Sequence, residues 1–422
     1  MCSGYGLATR LAGGSLPAGT LCRRAGTPRL RLWNNAIGGR RWTVRKAGLV
    51  SVLILFGFGL IGETAFAQPA PAESPAIRIG IILSLTGRNT TVGNEMKRAM
   101  ELAVADAKKK FPALSALEVV TGDDRGTAGN AARVTLQLIK DQGVKFIVGG
   151  SGSNQALGMA RVCREMHVLC ITPSATHTEL ARMGDSVIRF LPSNNAFARF
   201  LAESALDQLT FRELAVMRNS SNAFSIDLAS AFVKHYQAGG GNVIAQETYD
   251  PNTYLGELIA RVLKSGAKAV FIPDNTASSL PILQVWGGRP GPKPVFIGPD
   301  SWSVPSLWNT VRSLGLRVYF VSYYDPTSDA WRLFSQRMNG TPEEVSGFAG
   351  VAYDAMMLLL SSLARAETKA PLAVSRVLQK SRLEGVSGAT VFSGKTTPSR
   401  DLYLLEVTSK GLKVVRKARV SD

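Results

Sequence analysis

The sequence predicts an α/β protein of two similar lobes, each a doubly wound, mostly parallel sheet covered by helices. Three observations carry that expectation. Short apolar runs of strand length alternate with amphipathic stretches of helix length from Ile77 onward, and such alternation builds parallel sheets with helices on their faces. The alternation restarts after Arg189-Phe-Leu-Pro192, giving a second unit of similar size. Finally, two neighbouring strands each run into a turn rich in hydroxyls: Lys145 to Gly150 into Ser151-Gly-Ser153, and Val168 to Thr172 into Pro173-Ser-Ala-Thr176. In open α/β sheets, ligands bind outside the carboxyl ends of strands, where helix N-termini offer free N–H groups to an anion.

In the first unit, Ile77 to Leu83 reads as a strand, Thr86-Gly87 as a turn, and Val92 to Lys110 as a helix with Met96, Ala99, Met100, Ala103 and Val104 on one face. A strand over Leu117 to Thr121, a helix over Asn130 to Gln142, the strand at Lys145, a helix over Asn154 to Met166 and the strand at Val168 follow. In the second, helices are expected at Ala196 to Leu209, Ser225 to Ala238, Leu255 to Ser265 and Ser278 to Trp286. They alternate with strands at Glu213 to Met217, Asn242 to Glu247, Ala267 to Ile272 and Pro294 to Ile297. Beyond Tyr323 come two helical stretches, Gly347 to Ala366 and Leu372 to Lys380. A hairpin follows, Leu402 to Val407 with Leu412 to Val415 about Ser409-Lys-Gly411.

The first 67 residues stand apart. Arg40, Arg41, Arg45 and Lys46 precede an apolar run from Ala47 to Gly62, and Ala65-Phe-Ala67 ends it. This is the basic, apolar, small-x-small order of a secretion signal. Its 16 apolar residues fall short of the roughly 20 that span a bilayer. A mature, soluble, exported chain starting at Gln68 is expected, with residues 1–39 an over-extended start and general secretion favoured over a twin-arginine route. Nine of the 49 Lys and Arg and one of the 31 Asp and Glu lie before Gln68, leaving 40 against 30, or +10. No basic stripe interleaves with aromatics, so these charges read as a solvated surface and not a nucleic-acid footprint. Of four cysteines, Cys163 and Cys170 remain after cleavage, as buried thiols or as a bridge. No cluster has metal-ligand spacing, and no metal or cofactor is expected.

An ordered set of motifs then carries a resemblance. Ile77-Arg-Ile-Gly with Ser84-Leu-Thr-Gly87, Gly93 at a helix opening, Asp123-Asp124, Gly143 to Gly149, Ile171-Thr-Pro-Ser-Ala-Thr176 with Glu179-Leu180, and Phe296-Ile-Gly-Pro-Asp300 occur in sequence. In these the chain from Gln68 resembles, nearly end to end, the periplasmic leucine/isoleucine/valine-binding proteins, the type I solute-binding components of ABC importers. The resemblance implies a monomeric two-lobed trap in the periplasm that closes on an amino acid, or a related small carboxylate, and presents it to a membrane ABC permease. It places the first lobe at 76–192 plus 324–386 and the second at 193–323 plus 387–422, with three crossovers near Pro192, Tyr323 and Val386. It places Ser153, Ser174 and Thr176 on the ligand's α-carboxylate, Asp300 on its α-ammonium and Phe224 over the head group. Asn275 and Trp302 fall around the ligand side chain. There the chain departs from its relatives: Phe224 stands where a tyrosine is common, and Val92 replaces an aromatic before Gly93.

The chemistry of these residues agrees. A desolvated carboxylate needs several donors, and N–H groups at a helix N-terminus supply them; an ammonium needs an anion such as Asp300. Plainer readings sit beside each one. Ser151 and Ser153 fit helix capping, Asp300 fits a turn after Pro299, Phe224 and Trp302 fit ordinary packing, and Asp123-Asp124 fits the organisation of a loop at the cleft edge. A ligand-sensing periplasmic subunit is one alternative function. Another is a serine hydrolase using Ser151 and His177, although Gly149-Gly-Ser-Gly-Ser153 is one glycine short of the nucleophile-elbow pattern.

Overall fold

The computed structural model describes residues 76–422 apart from Arg88. The expected signal segment, Cys2 and Cys22 lie outside the described residues. The first lobe runs β1 (Arg78–Leu83), α1 (Thr90–Lys110), β2 (Glu118–Asp123), α2 (Ala128–Gln142), β3 (Phe146–Gly149), α3 (Ser153–Glu165), β4 (Leu169–Thr172) and β5 (Val187–Arg189). All five strands are parallel, in the order β2-β1-β3-β4-β5. The second lobe opens with α4 (Asn194–Glu203), β6 (Glu213–Asn219), α5 (Ala223–Ala238), β7 (Asn242–Tyr249) and α6 (Leu255–Lys264). It continues with β8 (Ala269–Phe271), α7 (Thr276–Gly288), β9 (Val295–Gly298), α8 (Pro305–Ser313) and β10 (Val318–Ser322). These five strands are again parallel and lie in the order β7-β6-β8-β9-β10.

The chain then returns to the first lobe with α9 (Asp329–Arg337), α10 (Gly347–Arg365) and α11 (Pro371–Gln379); α10 packs on α1 and β4, and α11 on β4. Helix α10 is apolar on nearly every side and long enough to cross a membrane, yet 83% of its apolar window is buried in the protein, as befits a core helix. The chain ends with β11 (Arg382–Gly385), β12 (Gly388–Val391), β13 (Ser399–Thr408) and β14 (Gly411–Val420), a meander whose β13 pairs antiparallel with β10.

The α/β alternation agrees with the sequence reading, and several details differ. β5, α8, α9, β10, β11 and β12 carried no distinct prediction. Three of the strands, β5, β11 and β12, are only three or four residues long, too short for a period to register. β11 pairs with β12 in the second sheet, so the third crossover lies between Gln379 and Arg382, and the boundary expected at Val386 put β11 in the wrong lobe. Cys163 and Cys170 are buried free thiols.

Both sheets have one topological switch, where consecutive connections leave in opposite directions: between β1 and β3 in the first lobe, and between β6 and β8 in the second. At such a switch the loops diverge and leave a crevice at the strand ends. Two glycines tighten the first. Gly150, just after β3, has φ +80°, and a Cβ there would stand 2.7 Å from Ala156 Cα; a Cβ on Gly93 would stand 2.0 Å from Ser84 O. Only glycine lets α1 and α3 come this close to the strand ends.

Candidate functional site

The two switch points line one cleft of about 1130 Å³. On the first-lobe side, Gly152 is the N-cap of α3 and uses no side chain to cap it. Ser153 therefore does not cap the helix. Its hydroxyl is buried and has no hydrogen-bond partner among the described residues. Ser151 Oγ accepts the Ser84 N–H at 3.1 Å, which leaves its own proton free to donate. Ser174 Oγ has only long contacts, 3.5 Å, to the carbonyls of Gly150 and Ser151. Three buried hydroxyls and the first turn of a 13-residue helix thus gather where donors outnumber acceptors. A buried hydroxyl left unpaired costs about 1–3 kcal/mol, a cost that an anion in the cleft removes.

The loop beside them is held by the acid pair. Asp123 accepts from the N–H groups of Leu85, Thr86 and Arg125 and from the Thr86 hydroxyl, which holds its carboxyl below the usual range despite some burial. Asp124 accepts from Ser84 Oγ at 2.6 Å and Gly126 N at 2.8 Å. Neither Asp123 nor Asp124 lines the cleft; they organise its edge, as expected.

Across the cleft stands Asp300, 3% exposed, in a short helical turn after β9. Burial pushes its carboxyl up to about 7 against the opposing pull of its own and the Ser301 backbone N–H groups. It makes no ion pair among the described residues. A buried acid in that condition takes up either a proton or a cation. Phe224, at the start of α5, lines the same wall, as does Asn275.

The structure departs from two expected positions. Trp302 is fully buried and absent from the cleft lining: its ring lies over Gly298 and its Nε1–H donates to Asp274 O at 3.1 Å. It packs the second lobe and fills no ligand space. Thr176 is also fully buried and outside the lining, its hydroxyl donating to Asn194 Oδ1 at 2.6 Å, so that hydroxyl braces the first crossover. The paired hydrolase atoms are likewise engaged elsewhere. His177 Nδ1 accepts the Glu179 N–H at 3.2 Å, Ser151 Oγ accepts from Ser84, and no hydrogen bond joins the two among the described residues.

Sequence reasoning missed Asp274, Asn219 and Asn222. Asp274 is fully buried and accepts from Asn219 Nδ2 (2.8 Å), Asn222 Nδ2 (2.6 Å), Tyr249 OH (2.8 Å) and Asn275 N (2.7 Å). Its carbonyl takes the hydroxyls of Ser279 and Ser301 besides Trp302. Burial raises its carboxyl despite these donors. The only local signal was an aspartate following a strand and Pro273; the three side chains that donate to its carboxylate lie 25 to 55 residues away.

A family model described as periplasmic binding protein matches residues 76–412. The Leu/Ile/Val-binding protein homolog 3 of Brucella melitensis is 25% identical over 357 residues, covering 82% of this chain and 96% of that one. The branched-chain amino acid substrate-binding protein LivJ of Streptococcus pneumoniae, solved in complex with isoleucine, superposes with a TM-score of 0.72 at 20% identity, covering 82% of this chain and 100% of that one. A solute-binding protein of an ABC transporter from Rhodopseudomonas palustris BisB5, in complex with 3,4-dihydroxy benzoic acid, gives 0.73 at 17% identity, with 82% and 97% covered. Two lobes with matched switch points and a family model spanning nearly all the described residues lead to one conclusion: the chain belongs to the periplasmic binding protein family, among the Leu/Ile/Val-binding solute-binding proteins of ABC transporters, with the type I fold.

Proposed function

We propose that this protein is exported to the periplasm, captures a small carboxylate-bearing solute, an amino acid in the first instance, by hinge closure of its two lobes, and hands it to a membrane ABC permease. The observation that carries this is the pairing of unsatisfied groups across the cleft. Ser153, with an orphan hydroxyl at the N-terminus of α3, faces the wall that holds Asp300, a buried carboxyl without a cation. An α-amino acid supplies both missing partners.

Ser153, Ser174 and Ser151 hold the carboxylate, the last two sharing the loop ends with the free N–H groups of α3. Asp300 accepts the ammonium, and Phe224 covers the head group. Asn275 borders the side-chain space. The relatives' ligands support the carboxylate half most directly, because isoleucine and 3,4-dihydroxy benzoic acid share a carboxylate while only isoleucine has an amine. Closure turns on the backbone between β5 and α4, between β10 and α9, and between α11 and β11, where few residues must change conformation.

A thermal-shift screen of amino acids and benzoates tests the proposal, because a ligand that binds only the folded state raises the melting temperature. At least one carboxylate of the screen should raise it, and its alcohol analogue, lacking the carboxylate, should not. Equal shifts from acid and alcohol would remove the carboxylate from the account.

A further inference from the structure

The second-lobe wall is specialised in a way that an aliphatic ligand tail does not require. Asn219, Asn222 and Asn275 all line the cleft, and all three have their side-chain oxygens engaged by backbone N–H groups. Ser221 N donates to Asn219 Oδ1 at 2.9 Å, Phe224 N to Asn222 Oδ1 at 3.2 Å, and Ser278 N to Asn275 Oδ1 at 3.1 Å. These bonds fix which end of each amide is oxygen. Asp274 then takes one N–H from Asn219 and one from Asn222.

An amide carries two N–H donors and one acceptor oxygen. Among the described residues, Asn219 and Asn222 keep one N–H each, and Asn275 keeps both. The three side chains therefore present free donors, while each oxygen already accepts one backbone N–H. Asp274 locks two of them in orientation, so no rotamer entropy remains to be lost when they bind. Hydrocarbon on this wall comes from Phe224, Pro251, Ala277, Leu280, Val304 and Pro305.

We infer that this cleft selects a ligand whose tail ends in a hydrogen-bond acceptor, a second carboxylate or a carbonyl, which Asn219, Asn222 and Asn275 bind by their amide N–H groups. An isopropyl tail against such a wall leaves the donors dry and unpaired, and sites of this kind reject the apolar isostere strongly. The inference rests on the reading that the first lobe takes a carboxylate. It is independent of whether Asp300 takes an amine.

Four probes separate these points by calorimetry on the purified protein. Leucine and aspartate share a head group and differ by an isopropyl against a carboxylate, and 4-methylpentanoate and succinate repeat that exchange without the amine. Aspartate should bind at least tenfold tighter than leucine, or succinate than 4-methylpentanoate. Preference for the polar tail in the acid pair alone would sink the amine role of Asp300 and leave the donor wall standing. The Asn275→Ser substitution keeps an oxygen to cap α7 and removes both free N–H groups. It should leave the ligand-free melting temperature near wild type and weaken the polar-tailed probe about tenfold. Tighter or equal binding of the aliphatic member in the pair that binds, binding of none of the four, or an unchanged affinity in Asn275→Ser overturns the inference.

Discussion

The two switch points of this molecule have the same strand order and different chemistry. The first, between β1 and β3, presents hydroxyls and helix N–H groups, and its buried strand-end acid Asp124 stands outside the cleft lining. Its hydroxyls come from two short contiguous turns, and glycines hold the helices against the strand ends. The second, between β6 and β8, is organised around Asp274, whose carboxyl and carbonyl bind seven groups, and it holds a second buried acid, Asp300. One wall is made by backbone geometry and the other by a buried polar network, so damage should separate them.

The largest effect is expected at Asp274. Asp274→Ala strands the donors of Asn219, Asn222 and Tyr249 in a buried site, and the loss should be on the order of 3–5 kcal/mol of unfolding free energy in urea. A variant that melts like wild type would show that the second wall does not depend on this network. Asp300→Ala should do the reverse. No cation among the described residues pairs with this carboxyl, so stability should hold or rise, while an amine-bearing ligand loses about 2–5 kcal/mol of affinity. Intact amino-acid binding in that variant would remove Asp300 from the ammonium site.

A smaller effect, graded with pH, follows from the same residue. Its carboxyl titrates near 7 in the folded chain and at 3.8 in a model peptide. The proton is held more tightly in the folded state, so this group's contribution to stability is full below about 3.8 and is lost as pH rises to about 7. An ammonium needs the ionised form, so affinity for amine ligands should fall about tenfold per pH unit below 7, and affinity for acids without an amine should not fall this way. Parallel pH profiles for the two ligand types, measured by calorimetry, would contradict the assignment.

This contrast also explains what the sequence disclosed. The first-lobe switch was legible because its residues form contiguous motifs, a buried strand followed by Gly149-Gly-Ser-Gly-Ser153 and another followed by Pro173-Ser-Ala-Thr176. Even there, spacing could not separate Ser174, in the cleft, from Thr176, turned into the crossover against Asn194. In the second lobe Asp300 was legible at the end of an apolar strand. Asn219 and Asn222 were not, because their role comes from Asp274, more than 50 residues later, and no local pattern marks such a pairing. Trp302 misled for a related reason: it lies two residues from a cleft acid, but the turn sends its ring into the core.

The most direct test of the account is a paired measurement on Ser153→Ala. Its hydroxyl has no partner within the described protein, so folding should lose nothing, whereas a carboxylate ligand should lose a charge-assisted hydrogen bond worth about 1.5–3 kcal/mol. The account predicts an unchanged urea midpoint together with at least a tenfold weaker Kd for the tightest carboxylate ligand of the screen. An unchanged Kd, or a loss of stability as large as the loss of binding, would contradict it.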